Sequence, residues 1–266
     1  MIQVSIIIPF KDKVDLLRLC VSSILEKTTF LDYEILLVDN LSTELKTKTF
    51  LNEIRVNPKI KIIEYNQAFN FSAINNCAVK EACGVYVIFL NNDTEVITPN
   101  WLDEIVKCFE DENVGVVGVK LLYPDKTIQH CGVMLQKKKI AVHAFKHRPE
   151  SETHLEEKKQ WSAVTGACLA TKKELFLRLG GLDEKNLPIA YNDVDYCLRV
   201  GELDLKIICL SNIKLYHYES ASRKSDKLAL LFQPKRFFKF LKERKYMKQK
   251  WGQKISCDRF FKQDQI

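Results

Sequence analysis

The stretch Val85-Tyr-Val-Ile-Phe-Leu-Asn-Asn-Asp-Thr-Glu95 joins a short apolar run to a polar segment. The apolar run is rich in β-branched and aromatic residues, which favour strands. Because its hydrophobicity is continuous rather than alternating, we expect this strand to be covered on both faces of its sheet. The polar residues then mark the carboxyl end of the strand. This stretch therefore predicts a layered α/β fold with a polar site at one edge of the sheet.

Similar segments on either side extend the pattern. Further apolar runs predict strands at residues 4–8, 33–38, 60–65 and 114–121. Helical spacing of apolar residues predicts helices at about 14–25, 43–54, 72–82 and 99–110. Strands that alternate with helices of this length indicate right-handed crossovers. We therefore expect a mostly parallel central sheet with helices on both faces.

Beyond about residue 125 the pattern loosens into shorter strands and loops. A strand of small residues is predicted at 164–170, followed by a helix at 172–179 and another from about 192. Two final strands are predicted near 205–210 and 213–217. The second half is thus expected to join the same α/β body with less regular connections.

Composition excludes several classes of protein. The chain has 266 residues, of which 46% are hydrophobic and 28% are charged, so collagen-like, disulfide-rich miniature and wholly disordered classes are excluded. Its nine cysteines include no CxxC pair, which favours reduced thiols. The sequence has neither a secretory profile nor an apolar run of about 18 residues, the length that a membrane span needs. We expect a cytoplasmic protein.

The net charge of +7 is concentrated in one segment. Residues 223–266 hold 14 basic and four acidic residues, which leaves residues 1–222 with 27 basic and 30 acidic residues, or −3. Within the segment, residues 228–251 interleave lysine and arginine with aromatic residues. One interpretation is a basic amphipathic helix that contacts a membrane surface. The other is a helix packed on the body with a solvated basic face, and the sequence leaves both open.

Three predicted strands are followed by segments that contain polar residues: Pro9-Phe10-Lys11, Asp39-Asn40 and Asn91-Asn92-Asp93. In open parallel sheets, ligands bind outside the carboxyl ends of the strands. Asp93 is suited to Mg²⁺ or Mn²⁺ carrying a diphosphate, since such a metal takes only one or two protein carboxylates. A polar turn is the alternative there. Asp39 and Asn40 are suited to accept hydrogen bonds from a nucleobase or ribose, with a helix-capping loop as the alternative.

Three later features are further candidates. Asp193 lies near the start of a predicted helix, where a carboxylate is suited to act as a general base or simply to cap the helix. His217 closes a strand, and imidazole beside a carboxylate suits Mn²⁺, although a packed histidine is the alternative. Gly166-Ala167 would let a substrate approach the backbone closely, or would serve tight strand packing.

Eight ordered motifs together resemble the family 2 glycosyltransferases, in particular the bacterial transferases of O-antigen, capsule and rhamnose-containing glycans. The resemblance covers roughly residues 2–223. Its motifs are Val4-Ser-Ile-Ile-Ile-Pro9, Leu37-Val-Asp-Asn40, Phe69-Asn-Phe-Ser-Ala-Ile-Asn-Asn76, Phe89-Leu-Asn-Asn-Asp-Thr-Glu-Val96, Val164-Thr-Gly-Ala167, Gly180-Gly-Leu-Asp-Glu184, Asn192-Asp-Val-Asp-Tyr-Cys-Leu-Arg199 and His217-Tyr-Glu-Ser220.

This resemblance implies a GT-A fold, a UDP- or dTDP-sugar donor, a divalent Mn²⁺ or Mg²⁺, and a single displacement that inverts the anomeric carbon. The implied acceptor is a glycan or a lipid-linked sugar, at the cytoplasmic face of the inner membrane. The expected organisation is a GT-A domain at 1–222 and a basic amphipathic helical extension at 223–266. Within the domain, residues 1–122 would form the nucleotide-sugar-binding half and residues 123–222 the acceptor and catalytic half.

Residue by residue, the resemblance implies that Asp193 is the catalytic base and that Asp93 and His217 hold the metal. The donor site would consist of Pro9, Phe10, Asp39, Asn40, Asn70, Asn75, Asn92 and Asp93. The acceptor side would consist of Thr165, Gly166, Ala167, Asn192 and Asp195. Two positions depart from the family pattern: Asn91 replaces the first carboxylate of the DxD element, which suggests weaker metal binding, and Asn192 replaces a glutamate.

Three other classes of protein are alternatives to a glycosyltransferase. Sugar nucleotidyltransferases carry a glycine-rich phosphate loop after the first strand, whereas residues 9–13 here contain no glycine. A non-catalytic nucleotide-sugar or glycan-binding module would be favoured by loss of Asp93 or Asp193, and both are present. The net charge alone suggests a nucleic-acid binder, but no recognised motif for one is found. We therefore expect no nucleic-acid partner.

Overall fold

The computed structural model describes residues 2–152, 155–218 and 234–260. Strands alternate with helices through the first half, as predicted. The strands are β1 Val4–Phe10, β2 Tyr33–Asp39, β3 Ile60–Glu64, β4 Tyr86–Leu90, β5 Thr94–Val96, β6 Val114–Leu122, β7 Ile128–His130, β8 Val133–Gln136, β9 Ile140–His143, β10 Lys158–Gln160, β11 Cys168–Lys172 and β12 Lys206–His217. The helices are α1 Val14–Lys27, α2 Leu45–Ile54, α3 Phe71–Glu81, α4 Trp101–Cys108, α5 Lys173–Arg178, α6 Asn192–Gly201 and α7 Pro234–Trp251.

The central sheet has the strand order β10-β12-β6-β11-β4-β1-β2-β3. The run β4-β1-β2-β3 is parallel throughout, which confirms the prediction for the first half. In the second half, β11 lies antiparallel between β4 and β6, and β10 lies antiparallel to β12. The sheet is therefore mixed. It also unites strands from both predicted halves of the domain.

Helices cover both faces of this sheet, as the continuous apolar runs predicted. Alternate residues of β1 enter two separate apolar clusters because successive side chains point to opposite faces. Ile6 and Ile8 pack in a cluster with residues of α1, α2 and α4. Ile7 packs in a second cluster with residues of α3, α5, α6 and α7.

Three predicted strands differ from the observed ones. The strand predicted at 4–8 continues through Pro9 to Phe10, and both residues pair with β2. The segment predicted as a strand at 164–170 enters the sheet only at Cys168, since residues 164–167 form a loop before β11. The two predicted final strands form one strand, β12, whose register with β6 shifts between Leu210 and Lys214. Such a bulge breaks the apolar pattern without ending the strand.

The strand directions gather the polar ends at one edge. Since β1, β2 and β4 are parallel, Phe10, Asp39 and Leu90 end at the same side of the sheet. β12 runs in the same direction as β4, because β6 is parallel to β12 and β11 is antiparallel to both β4 and β6. His217 therefore reaches the same edge, where it pairs with Thr94.

The basic segment near the C-terminus contains helix α7, which packs on the body through buried Met247 and Trp251. Phe237, Phe238 and Leu241 of this helix are exposed. The predicted boundary at 222/223 and residues 228–233 lie outside the described residues. None of the helices in the described ranges is long and apolar enough to span a membrane.

Candidate active site

The first group at the polar edge pairs a carboxylate with an imidazole. Asp93 follows β4, and its Oδ1 lies 3.1 Å from Nε2 of His217 at the end of β12. Both side chains are almost fully buried. Asn91 Nδ2 lies 3.2 Å from the same imidazole nitrogen. The backbone also joins the two strand ends, since the Tyr218 N–H donates to the Asp93 carbonyl over 2.8 Å.

Gln129 on β7 determines which imidazole nitrogen of His217 carries the proton. Its Nε2 donates to the backbone carbonyl of His217 over 3.2 Å, so its Oε1 faces Nδ1 of the same histidine. An amide oxygen only accepts, and Nδ1 must therefore be the protonated nitrogen. In the neutral ring this leaves the Nε2 lone pair directed toward Asp93. The sequence prediction missed Gln129, which no local motif distinguishes from an ordinary buried strand residue.

The Asp93 and His217 pair fits a divalent cation. Their oxygen and nitrogen atoms are 3.1 Å apart, close enough for both side chains to hold one cation. A histidine ligand generally donates its second ring N–H to an oxygen, as His217 does to Gln129. The described residues contain no group of three or more His, Cys, Asp or Glu side chains placed for a metal. Water and phosphate oxygens would thus complete the shell, as is usual for Mg²⁺.

A second histidine next to this pair is neutral. His130 is fully buried, and burial, followed by nearby His143 and His217, lowers its pKa well below the usual range. Its Nε2 accepts from the Gly132 N–H over 3.2 Å, while Nδ1 has no hydrogen-bond partner. His130 therefore adds no positive charge near His217 at neutral pH. The sequence prediction did not include this residue.

The second group centres on Asp193 in the first turn of α6. Its Oδ2 accepts from the Gly166 N–H and its Oδ1 from the Val194 N–H, each over 2.8 Å. These two bonds fix the orientation of a half-buried carboxylate. A Cβ on Gly166 would lie 3.4 Å from Cβ of Asp193, so the glycine keeps the space beside the carboxylate open. The predicted Gly166 and Asp193 are thus direct partners.

The loop containing Gly166 is tied to the segment that follows β4. The Ala167 carbonyl accepts from the Asn91 N–H over 3.0 Å. The Ala167 N–H faces Thr165 Oγ1 at 3.3 Å. Through these contacts the acceptor-side residues Thr165, Gly166 and Ala167 connect Asp193 to the end of β4.

The third group lies at the ends of β1 and β2. Asp39 Oδ1 accepts from the Ser42 N–H over 2.9 Å. Buried Asn40 donates to the carbonyls of Tyr65 and Gln67, so its side chain holds the neighbouring loop. Pro9 and Phe10 are buried within β1 and support this corner from beneath.

Asp12 organises the same corner and was missed by the sequence prediction. Its Oδ1 accepts from the N–H groups of Thr43 and Glu44, at 2.8 and 2.9 Å. Its own N–H donates to Ser42 Oγ over 2.8 Å. Asp12 and Lys13 have φ values of 50° and 57°, a left-handed turn that aspartate tolerates better than most residues. An aspartate two residues after a strand end is the signal that could have identified it.

The remaining predicted residues have mainly structural partners. Asn70 caps α3 by accepting from the Ala73 N–H, and it donates to the Glu184 carbonyl. Asn75 is buried and donates to the carbonyl of Phe71 in the same helix, while its Oδ1 has no partner. Asn192 is buried and donates to the Ile189 carbonyl. Half-buried Asn92 precedes Asp93 in the turn after β4.

Asp195, predicted on the acceptor side, is completely buried. Its Oδ2 lies 2.8 Å from Nε of Arg199, and its Oδ1 accepts from Nε1 of Trp251 over 2.8 Å. Nζ of Lys250 lies 2.7 Å from the same Oδ1. The carboxylate thus contacts side chains of α6 and α7, and these partners account for its burial without a substrate.

Comparisons with known proteins identify the family and the fold. The family model described as "Glycosyl transferase family 2" matches residues 5–180. The chain is 42% identical over 229 residues to the O-antigen biosynthesis protein RfbC of Myxococcus xanthus, covering 84% of this chain. It is 38% identical over 253 residues to the uncharacterised protein y4gI of Sinorhizobium fredii, covering 93% of this chain. The chain spans only 18% and 27% of the lengths of these two relatives.

Solved structures share the fold at low sequence identity. GalNAc-T7 with UDP, GalNAc and Mn²⁺ has a TM-score of 0.69 at 17% identity, over 81% of this chain and 43% of that one. The mannosyltransferase PcManGT of Pyrobaculum calidifontis, in complex with GDP-Man and Mn²⁺, has a TM-score of 0.60 at 18% identity, over 81% of this chain and 56% of that one. With the family match over most of the chain, these likenesses identify the protein as a glycosyltransferase of GT-A fold, a member of glycosyl transferase family 2.

Proposed function

We propose that the protein transfers a sugar from a UDP- or dTDP-sugar to a glycan or lipid-linked acceptor in the synthesis of a bacterial surface polysaccharide, such as O-antigen or capsule, with inversion at the anomeric carbon. The observation that carries the proposal is the connection of Asp193, through the 165–167 loop, to the sheet edge that holds Asp93 and His217. The relative named for O-antigen biosynthesis supports the pathway.

The donor would bind across the ends of β1, β2 and β4. We propose that Asp39 contacts the base or ribose, in the corner that Asn40 and Asp12 hold in place. A carboxylate accepts from N–H and O–H groups only, which suits the imide N–H of uracil or thymine. The solved structures that share the fold hold either UDP or GDP-Man, so the pyrimidine proposal rests on Asp39.

Asp93 and His217 would hold Mn²⁺ or Mg²⁺ against the donor diphosphate. When bound, such a metal stabilises the negative charge that develops on a departing diphosphate. The protein residues contribute one carboxylate and one imidazole, and the hydrogen bond from Nδ1 to Gln129 keeps the imidazole oriented. With Asn91 in place of a second carboxylate, the site carries little negative charge of its own. Metal and nucleotide are therefore expected to bind together.

Asp193 would accept the proton of the acceptor hydroxyl. General-base action of this kind accelerates a reaction by about 10²–10⁴-fold. The backbone N–H groups of Gly166 and Val194 hold the carboxylate in one orientation, and Gly166 leaves space for an acceptor beside it. A base on the acceptor side agrees with a single displacement, in which the nucleophile attacks opposite the leaving diphosphate.

The test begins with a panel of UDP- and dTDP-sugars in the presence of Mn²⁺, with nucleotide release as the readout. With the active donor, Asp193→Asn should lower release at least about 100-fold because the variant lacks a proton acceptor. Its Kd for the nucleotide, measured by calorimetry, should stay within about twofold. Asp204→Asn, the same change at an exposed residue after α6, is the control and should behave as wild type.

Near wild-type release by Asp193→Asn would show that this residue is not the base. Nucleotide-sugar binding without release or transfer in the wild type would instead support the alternative of a binding module derived from a transferase. The two results are distinguishable because binding without release is measured on the wild-type protein, whereas the role of the base is measured on Asp193→Asn.

We also propose that the enzyme works at the cytoplasmic face of the inner membrane, with peripheral contact through α7. The described part of residues 228–251 exposes Phe237, Phe238 and Leu241 beside Lys245 and Lys248. An exposed helical face that combines aromatic and basic side chains suits an anionic lipid surface. Lipid-linked acceptors would lie at that surface.

A further inference from the structure

Helix α7 makes a buried polar contact with the segment just before Asp193. The Glu243 carboxylate accepts from two successive backbone N–H groups, Ile189 to Oε1 and Ala190 to Oε2, each over 3.1 Å. Glu243 is 2% exposed, which is unusual for a glutamate in a basic helix. Its position is therefore explained by these two bonds rather than by contact with solvent.

The backbone that Glu243 holds leads into a strained turn. Tyr191 has a φ of 62°, a left-handed conformation that costs energy for a residue with a bulky side chain. This turn directs the chain into α6, with Asp193 two residues later. The ring of Phe240 on α7 contacts the ring of Tyr191 at a centroid distance of 5.7 Å. Strained conformations persist where the surroundings over-determine them, and α7 provides that constraint here.

A second contact holds α6 on the other side of Asp193. Trp251 Nε1 donates to Asp195 Oδ1 over 2.8 Å, and Lys250 Nζ lies 2.7 Å from the same oxygen. Asp195 lies two residues after Asp193 in the same short helix. A shift of the backbone at Asp195 therefore also changes the position of Asp193. On the loop before α6, the Tyr246 hydroxyl donates to Asp183 Oδ2 over 2.8 Å.

We propose that α7 is a positioning element of the active site, in which Glu243 and Trp251 hold the backbone on either side of Asp193. This inference rests on the proposed role of Asp193 as the base. Neither residue contacts the Asp193 side chain in the described hydrogen bonds, so both act through the backbone at 189–190 and through Asp195. A displacement of about 1 Å in a catalytic group can cost about 10²-fold in rate. The basic C-terminal segment is thus part of the catalytic framework as well as a charged surface.

The test uses two conservative variants in the full chain. Glu243→Gln keeps the shape but leaves one backbone N–H facing an amide NH₂ group, and Trp251→Phe removes the indole N–H while keeping an aromatic ring. Each should lower kcat for nucleotide release about 10- to 100-fold, with KM for the donor and Kd for UDP within about twofold. Donor binding is spared because the proposed base contact, Asp39, and the proposed metal ligand, Asp93, lie at the ends of β2 and β4, away from α7.

Peptide-resolved hydrogen exchange separates positioning from general stability. In Glu243→Gln, exchange should increase in peptides covering residues 186–195 while peptides from β1, β2 and β4 keep wild-type protection. Glu202→Gln is the matched control, because it removes an exposed carboxylate that contacts Lys254 of the same C-terminal segment over 2.7 Å. We expect wild-type kcat and exchange for this control.

Either of two outcomes would overturn the inference: wild-type kcat in folded Glu243→Gln and Trp251→Phe, or an equal rise of exchange throughout the protein. If Glu243→Gln does not fold, Trp251→Phe decides the matter by the same measurements. Failure of the proposed function gives a different result. In that case Asp193→Asn retains activity, whereas local exchange at 186–195 still reports whether α7 holds this segment.

Discussion

At the scale of single residues, one hydrogen bond sets the orientation of the His217 imidazole at the polar edge of the sheet. Because Gln129 accepts from Nδ1 of His217, the neutral imidazole presents a lone pair at Nε2 toward Asp93. That nitrogen lies 3.1 Å from Asp93 Oδ1 and 3.2 Å from Asn91 Nδ2. The hydrogen bond to Gln129 thus orients the ring so that a nitrogen suited to bind a metal lies beside a carboxylate. This orientation supports the metal proposal.

The metal proposal yields a prediction for Asp93→Asn. Wild-type protein should bind UDP or dTDP more tightly with Mn²⁺ than with EDTA, by calorimetry. In the variant this Mn²⁺-dependent gain should fall about tenfold or more, since even outer partners of a metal ligand contribute about 10–100-fold to affinity. Glu95→Gln is the control, because that carboxylate contacts Lys27 and Tyr218. An unchanged Mn²⁺ titration in Asp93→Asn would contradict the assignment.

At the scale of elements, β11 is the strand that joins the two sides of the site. It lies antiparallel between β4 and β6, and the loop before it contains Gly166, the partner of Asp193. This loop packs closely on β6, since a Cβ built on Gly118 would lie 2.6 Å from Cβ of Val164. The glycine thus allows the loop to approach the sheet.

Gly118→Ala should therefore disturb both stability and the active-site loop. Overpacking a core typically costs about 1–3 kcal/mol, so the free energy of unfolding in urea should fall by that amount. Gly201→Ala is the control, because its Cβ would meet Ile207 Cδ1 at an ordinary 3.7 Å. Wild-type stability for Gly118→Ala would show that the loop moves away without cost.

At the scale of the whole molecule, α7 has one face packed on the body and another that is exposed. One face carries Glu243, Met247 and Trp251 into the body, and the opposite face exposes Phe238 and Leu241. A truncation of the basic segment would therefore remove buried contacts together with the exposed surface. Substitutions on the exposed face test membrane contact more directly, because they leave the buried contacts in place.

Lys245→Gln with Lys248→Gln should weaken binding to anionic lipid vesicles about 30-fold, since each basic residue near such a surface contributes about 1 kcal/mol. Binding is measured by vesicle sedimentation at low and high salt, with neutral vesicles as the reference. Lys46→Gln with Lys48→Gln removes the same charge from the exposed side of α2 and should have little effect. Equal losses for both pairs would indicate that net charge, rather than α7, directs binding.

The apolar runs were sufficient to predict the parallel part of the sheet, because each strand there is buried on both faces and therefore continuous in hydrophobicity. They also placed Asp39, Asp93 and His217 at strand ends. They did not reveal that β11 is antiparallel, since periodicity contains no information on strand direction. The bulge in β12 was likewise predicted as a break between two strands. In the sequence, the polar residues of a bulge within one strand look the same as those of a turn between two strands.

The layered α/β fold, the strand ends and the uneven charge could be predicted from the chain, since they depend on composition and local pattern. The contacts between distant residues are seen only in the folded protein: Gln129 with His217, Gly166 with Asp193, and Glu243 with the backbone at 189–190. These residues are between 27 and 88 positions apart in the chain. Such contacts depend on how distant elements pack, and no local spacing of residues encodes them.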